Sequence, residues 1–90
     1  MMSTQIEQVR ATAELWSWAE VQADDRHVVF RNQAGDGDVA LTVQWGRSTG
    51  QVLSAWLVRE GRITTVVGAA ASGKVAEVQY ALQTHTGVHV

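Results

Sequence analysis

The chain has 90 residues, of which 46% are hydrophobic and 18% charged, with a net charge of −2 and no cysteine. This length allows one domain, residues 1–90, and the apolar content predicts a folded chain. Without cysteine, disulfide bonds and thiolate metal ligands are excluded. A slightly acidic chain has no general field that attracts phosphate groups, so we expect neither a nucleic-acid partner nor a membrane partner.

Residues 1–10 are polar and contain no apolar run, so we expect no signal peptide. Apolar runs throughout the chain fall well short of the roughly 18 residues that cross a bilayer. We therefore expect a cytoplasmic protein.

The first predicted element is a helix that begins at Thr4. Thr4 and Glu7 have the spacing of a capping box, in which each side chain bonds a free backbone N–H of the first turn. Apolar residues then recur at helical spacing: Ile6, Val9, Ala13 and Trp16. The next position of this apolar stripe is occupied by the charged Glu20. We therefore expect the helix to end between Ala19 and Gln22.

Two tryptophans make the end of this helix ambiguous. Trp16 and Trp18 lie about 200° apart around a regular helix, so both cannot face the core. We expect Trp18 to lie partly in water. In the alternative, the helix ends early and residues 16–22 form a strand.

Segments rich in β-branched and aromatic residues follow, at residues 26–33, 38–46, 51–59 and 62–68. Turn-forming residues separate them, at 34–37, 47–50 and 60–61. Loops this short join antiparallel neighbours, because a parallel crossover needs a dozen or more residues. The pattern predicts a four-stranded antiparallel meander.

A second helix closes the chain. Ser72 is placed to cap it and Gly87 to end it, and its apolar stripe consists of Val75, Val78 and Leu82. The predicted fold class is therefore α+β, a four-stranded antiparallel β-meander flanked by N-terminal and C-terminal α-helices, in the order α-β-β-β-β-α.

Simple pairing across the turns predicts which side chains share a face of this sheet. It places Trp45 near Val52, Leu41 near Trp56, and Val58 near Ile63, all on a core face that both helices cover. The opposite face is then open to solvent: His27, Val29, Arg31, Ala40, Thr42, Gln44, Leu53, Ala55, Leu57, Arg59, Thr64 and Val66. Two alternatives stay open: the helices divide between the faces, or a bulge near residues 60–61 inverts the last strand.

The stretch from Gly68 to Lys74 matches the GxxxxGK core of a phosphate-binding loop, between a predicted strand and a predicted helix. Such loops continue with a serine or threonine that holds magnesium, and here Val75 follows. A capped helix start is the more economical interpretation. An anion site at Ser72, Gly73 and Lys74 is the alternative.

The same stretch, with Ala76, Ala81 and Leu82, resembles the last helix of double-stranded-RNA-binding domains. Those domains carry a lysine cluster at this helix start, whereas here Lys74 is alone and Glu77 follows. The cationic contacts that dominate RNA affinity are missing, so RNA binding is not expected.

The sequence gives weaker indications of metal binding and of catalysis. His85 and His89 are four residues apart, but Gly87 lies between them and no third ligand is evident, so we expect no metal site. The acidic residues of the loops do not have the spacing of a helix-flanked calcium loop. With neither cysteine nor a nucleophile elbow, we expect no enzyme and no cofactor.

What remains is the apolar patch on the open face, which is rimmed by polar groups as contact sites are. We expect a small non-enzymatic protein-interaction module that self-associates, as a homodimer, or docks on a larger partner. The expected contact residues are Val29, Arg31, Leu53, Leu57, Arg59 and Trp18. A compact, motif-free, acidic chain in which arginine far outnumbers lysine also suggests an accessory protein of a phage or mobile element. The alternative function is phosphate or nucleotide binding at the loop that ends at Lys74.

Overall fold

A computed structural model describes residues 4–32, 39–59, 61–68 and 72–84. Two helices flank one antiparallel sheet, which confirms the α+β class, but the sheet has five strands and not four. The elements in chain order are α1 (Gln5–Leu15), β1 (Trp18–Ala23), β2 (His27–Asn32), β3 (Val39–Trp45), β4 (Val52–Arg59), β5 (Arg62–Val67) and α2 (Lys74–Thr84). The strands follow one another as a meander, in the order β1-β2-β3-β4-β5.

Helix α1 begins at the position that its sequence predicts, but the Glu7 carboxylate accepts from the Thr4 hydroxyl at 3.0 Å, where the predicted capping box has it accept from the Thr4 backbone N–H. The Thr4 hydroxyl accepts a hydrogen bond from the Glu7 backbone N–H at 3.3 Å, and Ile6, Val9 and Ala13 are buried. The start of the helix is also tied to the turn before β4, because the Ile6 N–H donates to the Gly50 carbonyl at 2.9 Å. Local capping and a tertiary bond therefore both determine where α1 begins.

The end of α1 differs from the main expectation. The helix ends at Leu15, and Ser17 has a φ of 65°, a left-handed conformation that reverses the chain direction. Strand β1 then starts at Trp18, so the early end with a following strand is confirmed and the end near residues 19–22 is wrong. Trp18 was expected partly in water, but it is only 4% exposed.

Three irregularities shift the register of the sheet. Trp45 lies opposite Val52, as expected, but the next pair is Gln44 with Ser54, so Leu53 is an extra residue on β4. Leu41 consequently lies opposite Leu57, and its expected pairing with Trp56 is wrong. Two further extra residues lie on the edge strands, Val21 on β1 and Val66 on β5.

The bulge at Leu53 decides which face of β4 enters the core. Because side chains alternate along a strand, one extra residue inverts the faces of everything after it. Ala55 and Leu57, expected on the open face, are buried at 0% and 6% exposure. Val58 does pair with Ile63, as expected, but on the other face, where Ile63 is 71% exposed.

Both helices pack on the same face of the sheet, hereafter the inner face, as the sequence predicts. The core cluster joins residues of α1 and α2 to inner-face residues of the strands. Its buried members are Ile6, Val9, Ala13, Trp18, Val28, Phe30, Val39, Leu41, Val43, Val52, Ala55, Leu57, Val67, Val78 and Leu82. The division of the helices between the two faces is therefore excluded.

Helix α2 begins one residue later than a Ser72 cap implies. The Glu77 N–H donates to the Gly73 carbonyl at 3.2 Å, so Gly73 precedes the first helical residue, and its φ of 64° suits glycine. The predicted Gly87 end, the loop at residues 34–37 and Glu60 of the β4–β5 turn lie outside the described residues.

Candidate functional site

The face of the sheet opposite the helices, hereafter the open face, is built from rows of side chains that lie across the strands. Residues directly opposite in antiparallel strands share a face, so the pairing gives the rows directly. One row is Ala19, Arg31, Ala40, Val58 and Ile63; the next is Gln22, Val29, Thr42, Trp56 and Thr65; the third is His27, Gln44 and Ser54. No helix of the described ranges covers this face.

The middle of the open face is apolar and partly ordered by side-chain contacts. Trp56 is half-buried, and its ring meets the His27 ring edge to face, with centroids 6.1 Å apart. Ser54 donates a hydrogen bond to the Gln44 side-chain oxygen at 2.9 Å. These contacts hold part of the surface in a defined shape before any partner binds, which lowers the entropy lost on association.

Only part of the predicted contact set lies on this face. Val29 and Arg31 do. Leu57 and Trp18 are buried in the core, so their assignment to an exposed surface is wrong. Leu53 is 39% exposed, but it is the extra residue of the β4 bulge. Arg59 is exposed in an inner-face row, where it lies between Val39 and Arg62.

The residues missed by sequence reasoning are Trp56, Val58 and Ile63, the largest apolar groups of the open face. One signal pointed to the correct register. The expected alternation placed the polar Ser54 in the core and exposed Ala55 and Leu57, an unfavourable exchange for a half-buried strand. A slip of one residue before Ser54 removes this conflict.

The turn between β1 and β2 borders the open face at His27. The Asp24 carboxylate accepts backbone N–H bonds from Arg26 at 2.8 Å and from His27 at 2.7 Å. These two bonds lower the pKa of Asp24 below its ordinary value, because they stabilise the ionised carboxylate. The charged form of Asp24 thus supports the turn that positions His27.

The alternative anion site is described only at Ser72, Gly73 and Lys74, since residues 69–71 lie outside the described part. The Lys74 ammonium donates to the Leu53 carbonyl at 2.8 Å. The lysine is thus used to join α2 to the β4 bulge, and no observation favours phosphate binding at this helix start.

The described residues contain neither a metal-binding cluster nor a membrane-spanning helix. Within residues 4–32, 39–59, 61–68 and 72–84, no group of three or more histidine or acidic side chains could hold a metal ion. His85 and His89 are not among these residues. Neither described helix combines the length and hydropathy needed to cross a bilayer.

The chain shows no significant similarity to any protein-family model, curated protein or solved structure.

Proposed function

We propose that this protein is a non-enzymatic protein-interaction module that binds a second copy of itself through the open face. The observation that supports this most directly is the uncovered row containing Val58 and Ile63, the latter 71% exposed, next to the half-buried Trp56. A contiguous apolar patch of this kind, rimmed by polar side chains, is typical of a contact surface.

The charge of the open face favours a copy of the chain as the occupant. Among the residues of its three rows, Arg31 is the one with a permanent charge. It lies on β2, away from Ile63 at the β5 edge. Two such faces can meet about a twofold axis without strong like-charge repulsion, and a symmetric dimer requires this self-complementarity.

The size of the face indicates a weak dimer. Five strands at a spacing of about 4.8 Å span about 24 Å, and five residues along a strand span about 17 Å. Two such faces bury on the order of 1,000 Å², the lower limit of specific interfaces. Interfaces of this size are typical of weak, transient complexes, so we expect the dimer to dissociate on dilution.

The test compares two exposed aliphatic residues. Ile63→Glu places a charge on the open face, whereas Leu15→Glu places the same charge on α1, where Leu15 is 77% exposed. Both variants should fold, because neither side chain is buried. Sedimentation velocity over a wide concentration range should show dimer formation by the wild type and by Leu15→Glu, and a monomer for Ile63→Glu.

A wild type that stays monomeric at every concentration would refute self-association, as would equal dimer formation by Ile63→Glu. The proposal includes a cytoplasmic location for the module. An accessory role in a phage or mobile element stays a prediction from composition, without further support.

A further inference from the structure

A second surface feature lies on the helix side of the β4–β5 hairpin. It is a cavity of about 450 Å³ between this hairpin and α2. Its lining consists of Leu57, Arg59, Arg62, Thr64, Thr65, Val66, Glu77, Tyr80 and Ala81. The volume falls within the range of small-molecule sites, about 300–1,000 Å³.

Two arginines stand at the hairpin end of this cavity. Arg59 and Arg62 lie directly opposite each other in the pairing of β4 with β5, and both are exposed. Like charges in directly opposed positions destabilise a strand pair. An anion held between the two guanidinium groups would remove this repulsion.

Neither arginine is neutralised within the described chain. The ion pairs found there involve Arg10, His27 and Arg47. Glu77 lines the same cavity, yet no ion pair joins it to Arg59 or Arg62. Guanidinium groups bind carboxylate and phosphate oxygens in pairs of parallel hydrogen bonds, so this pair suits an oxyanion.

The rest of the cavity offers an apolar surface beside these charges. Leu57 is nearly buried at 6% exposure, and Val66 and Ala81 also line the cavity. Tyr80 lines it from α2 and is 66% exposed, which leaves its ring free to contact a ligand. A ligand that satisfies both parts of the cavity must carry an anionic group and an apolar body.

We propose that this cavity binds a small amphipathic organic anion. Arg59 and Arg62 hold its carboxylate or phosphate group, and Tyr80 and Leu57 contact an attached aromatic or aliphatic body. The site shares Thr65 with the rows of the open face, but its arginines and its tyrosine belong to the inner face and to α2.

The experiment is an NMR titration of ¹⁵N-labelled protein with phenyl phosphate, with benzoate, inorganic phosphate and phenol in parallel. Phenyl phosphate or benzoate should shift the backbone amides of Arg62, Thr64 and Tyr80. Inorganic phosphate and phenol should bind more weakly, since each provides one half of the ligand. Whichever of phenyl phosphate and benzoate binds with the higher affinity identifies the preferred anionic group.

Variants separate this site from unspecific charge effects. Arg59→Gln and Arg62→Gln should each weaken binding about tenfold or more, the effect of losing one charge-assisted hydrogen-bonding partner. Arg47→Gln removes the same charge from a residue outside the cavity lining and should bind like the wild type. Tyr80→Ala should abolish the preference for phenyl phosphate over inorganic phosphate. The spectrum of each variant reports whether it is folded.

Equal affinity of Arg62→Gln, Arg59→Gln and the wild type would overturn the proposal. Shifts confined to residues 72–74 would overturn it in favour of the helix start. The absence of any shift with phenyl phosphate and benzoate would overturn it outright.

Discussion

The indole nitrogen of Trp18 donates a hydrogen bond to the backbone carbonyl of Leu82 at 2.9 Å, within the buried core. The bond joins the first residue of β1 to α2, 64 positions along the chain. Leu82 itself is fully buried, at 0% exposure. Trp18 thus both fills the core and gives the buried Leu82 carbonyl a hydrogen-bond donor.

Replacement of Trp18 by Phe should lower the free energy of unfolding by about 1–3 kcal/mol, because the Leu82 carbonyl loses its buried donor. Urea unfolding measures this change. Trp56→Phe is the matched control, since Trp56 is half-buried on the open face, and we expect a loss below about 1 kcal/mol. Equal losses in the two variants would contradict the role assigned to the Trp18 bond.

The β4 bulge predicts that substitutions of two nearby leucines differ strongly in their effect on stability. Leu57→Ala should destabilise the protein by about 2–5 kcal/mol, because Leu57 is 6% exposed and its removal leaves a cavity. Leu53→Ala should change stability by less than about 1 kcal/mol, because Leu53 is 39% exposed. Thermal unfolding of both variants tests the register, and a larger effect at Leu53 would contradict it.

Gly50 and Gly61 both have a positive φ, 70° and 78°, but different surroundings. A Cβ at Gly50 would come within 2.7 Å of the Thr4 Cβ, whereas at Gly61 no described residue other than the chain neighbours lies within 4 Å. Gly61→Ala should therefore cost about 1 kcal/mol of backbone strain alone.

Gly50→Ala should cost more than this, about 2–4 kcal/mol, because the clash with Thr4 adds to the strain and disturbs the cap of α1. Chemical denaturation of the two variants gives the difference directly. Equal losses would show that the Thr4 side chain moves away freely.

The Asp24 turn predicts a specific pH dependence. The pKa of Asp24 is lower in the folded state than its ordinary value of 3.8, so its contribution to stability is complete above that value. The contribution is lost as the pH falls through the lower folded pKa. A ¹³C titration of the Asp24 carboxyl group should give a midpoint below 3.8.

Two variants at Asp24 separate charge from hydrogen bonding. Asp24→Asn keeps an acceptor oxygen for the N–H groups of Arg26 and His27, whereas Asp24→Ala keeps none. At neutral pH, Asp24→Ala should unfold at a lower temperature than Asp24→Asn. A carboxyl midpoint at or above 3.8 would contradict the assigned bonds.

Features of the fold that depend only on residues close together in the chain could be predicted from the sequence. The Thr4 cap, the apolar stripe of α1 and the alternation of β3 are local patterns, and each was confirmed. Short turns imply that consecutive strands are antiparallel neighbours. These local patterns were sufficient to predict the meander, the α+β class and the position of Val29 and Arg31 on the open face.

The set of residues on the open face depends instead on two features that involve residues far apart in the chain. The chain leaves α1 at Ser17 so that Trp18 reaches the carbonyl of Leu82, a partner that no local pattern identifies. The extra residue at Leu53 turns Leu57 inward to meet Leu41, and thereby turns Trp56 outward. Both registers of β4 satisfy the same alternation along the chain. The observed one buries Leu57 beside Leu41 and leaves Ser54 outside the core, an arrangement whose stability depends on residues far apart in the chain.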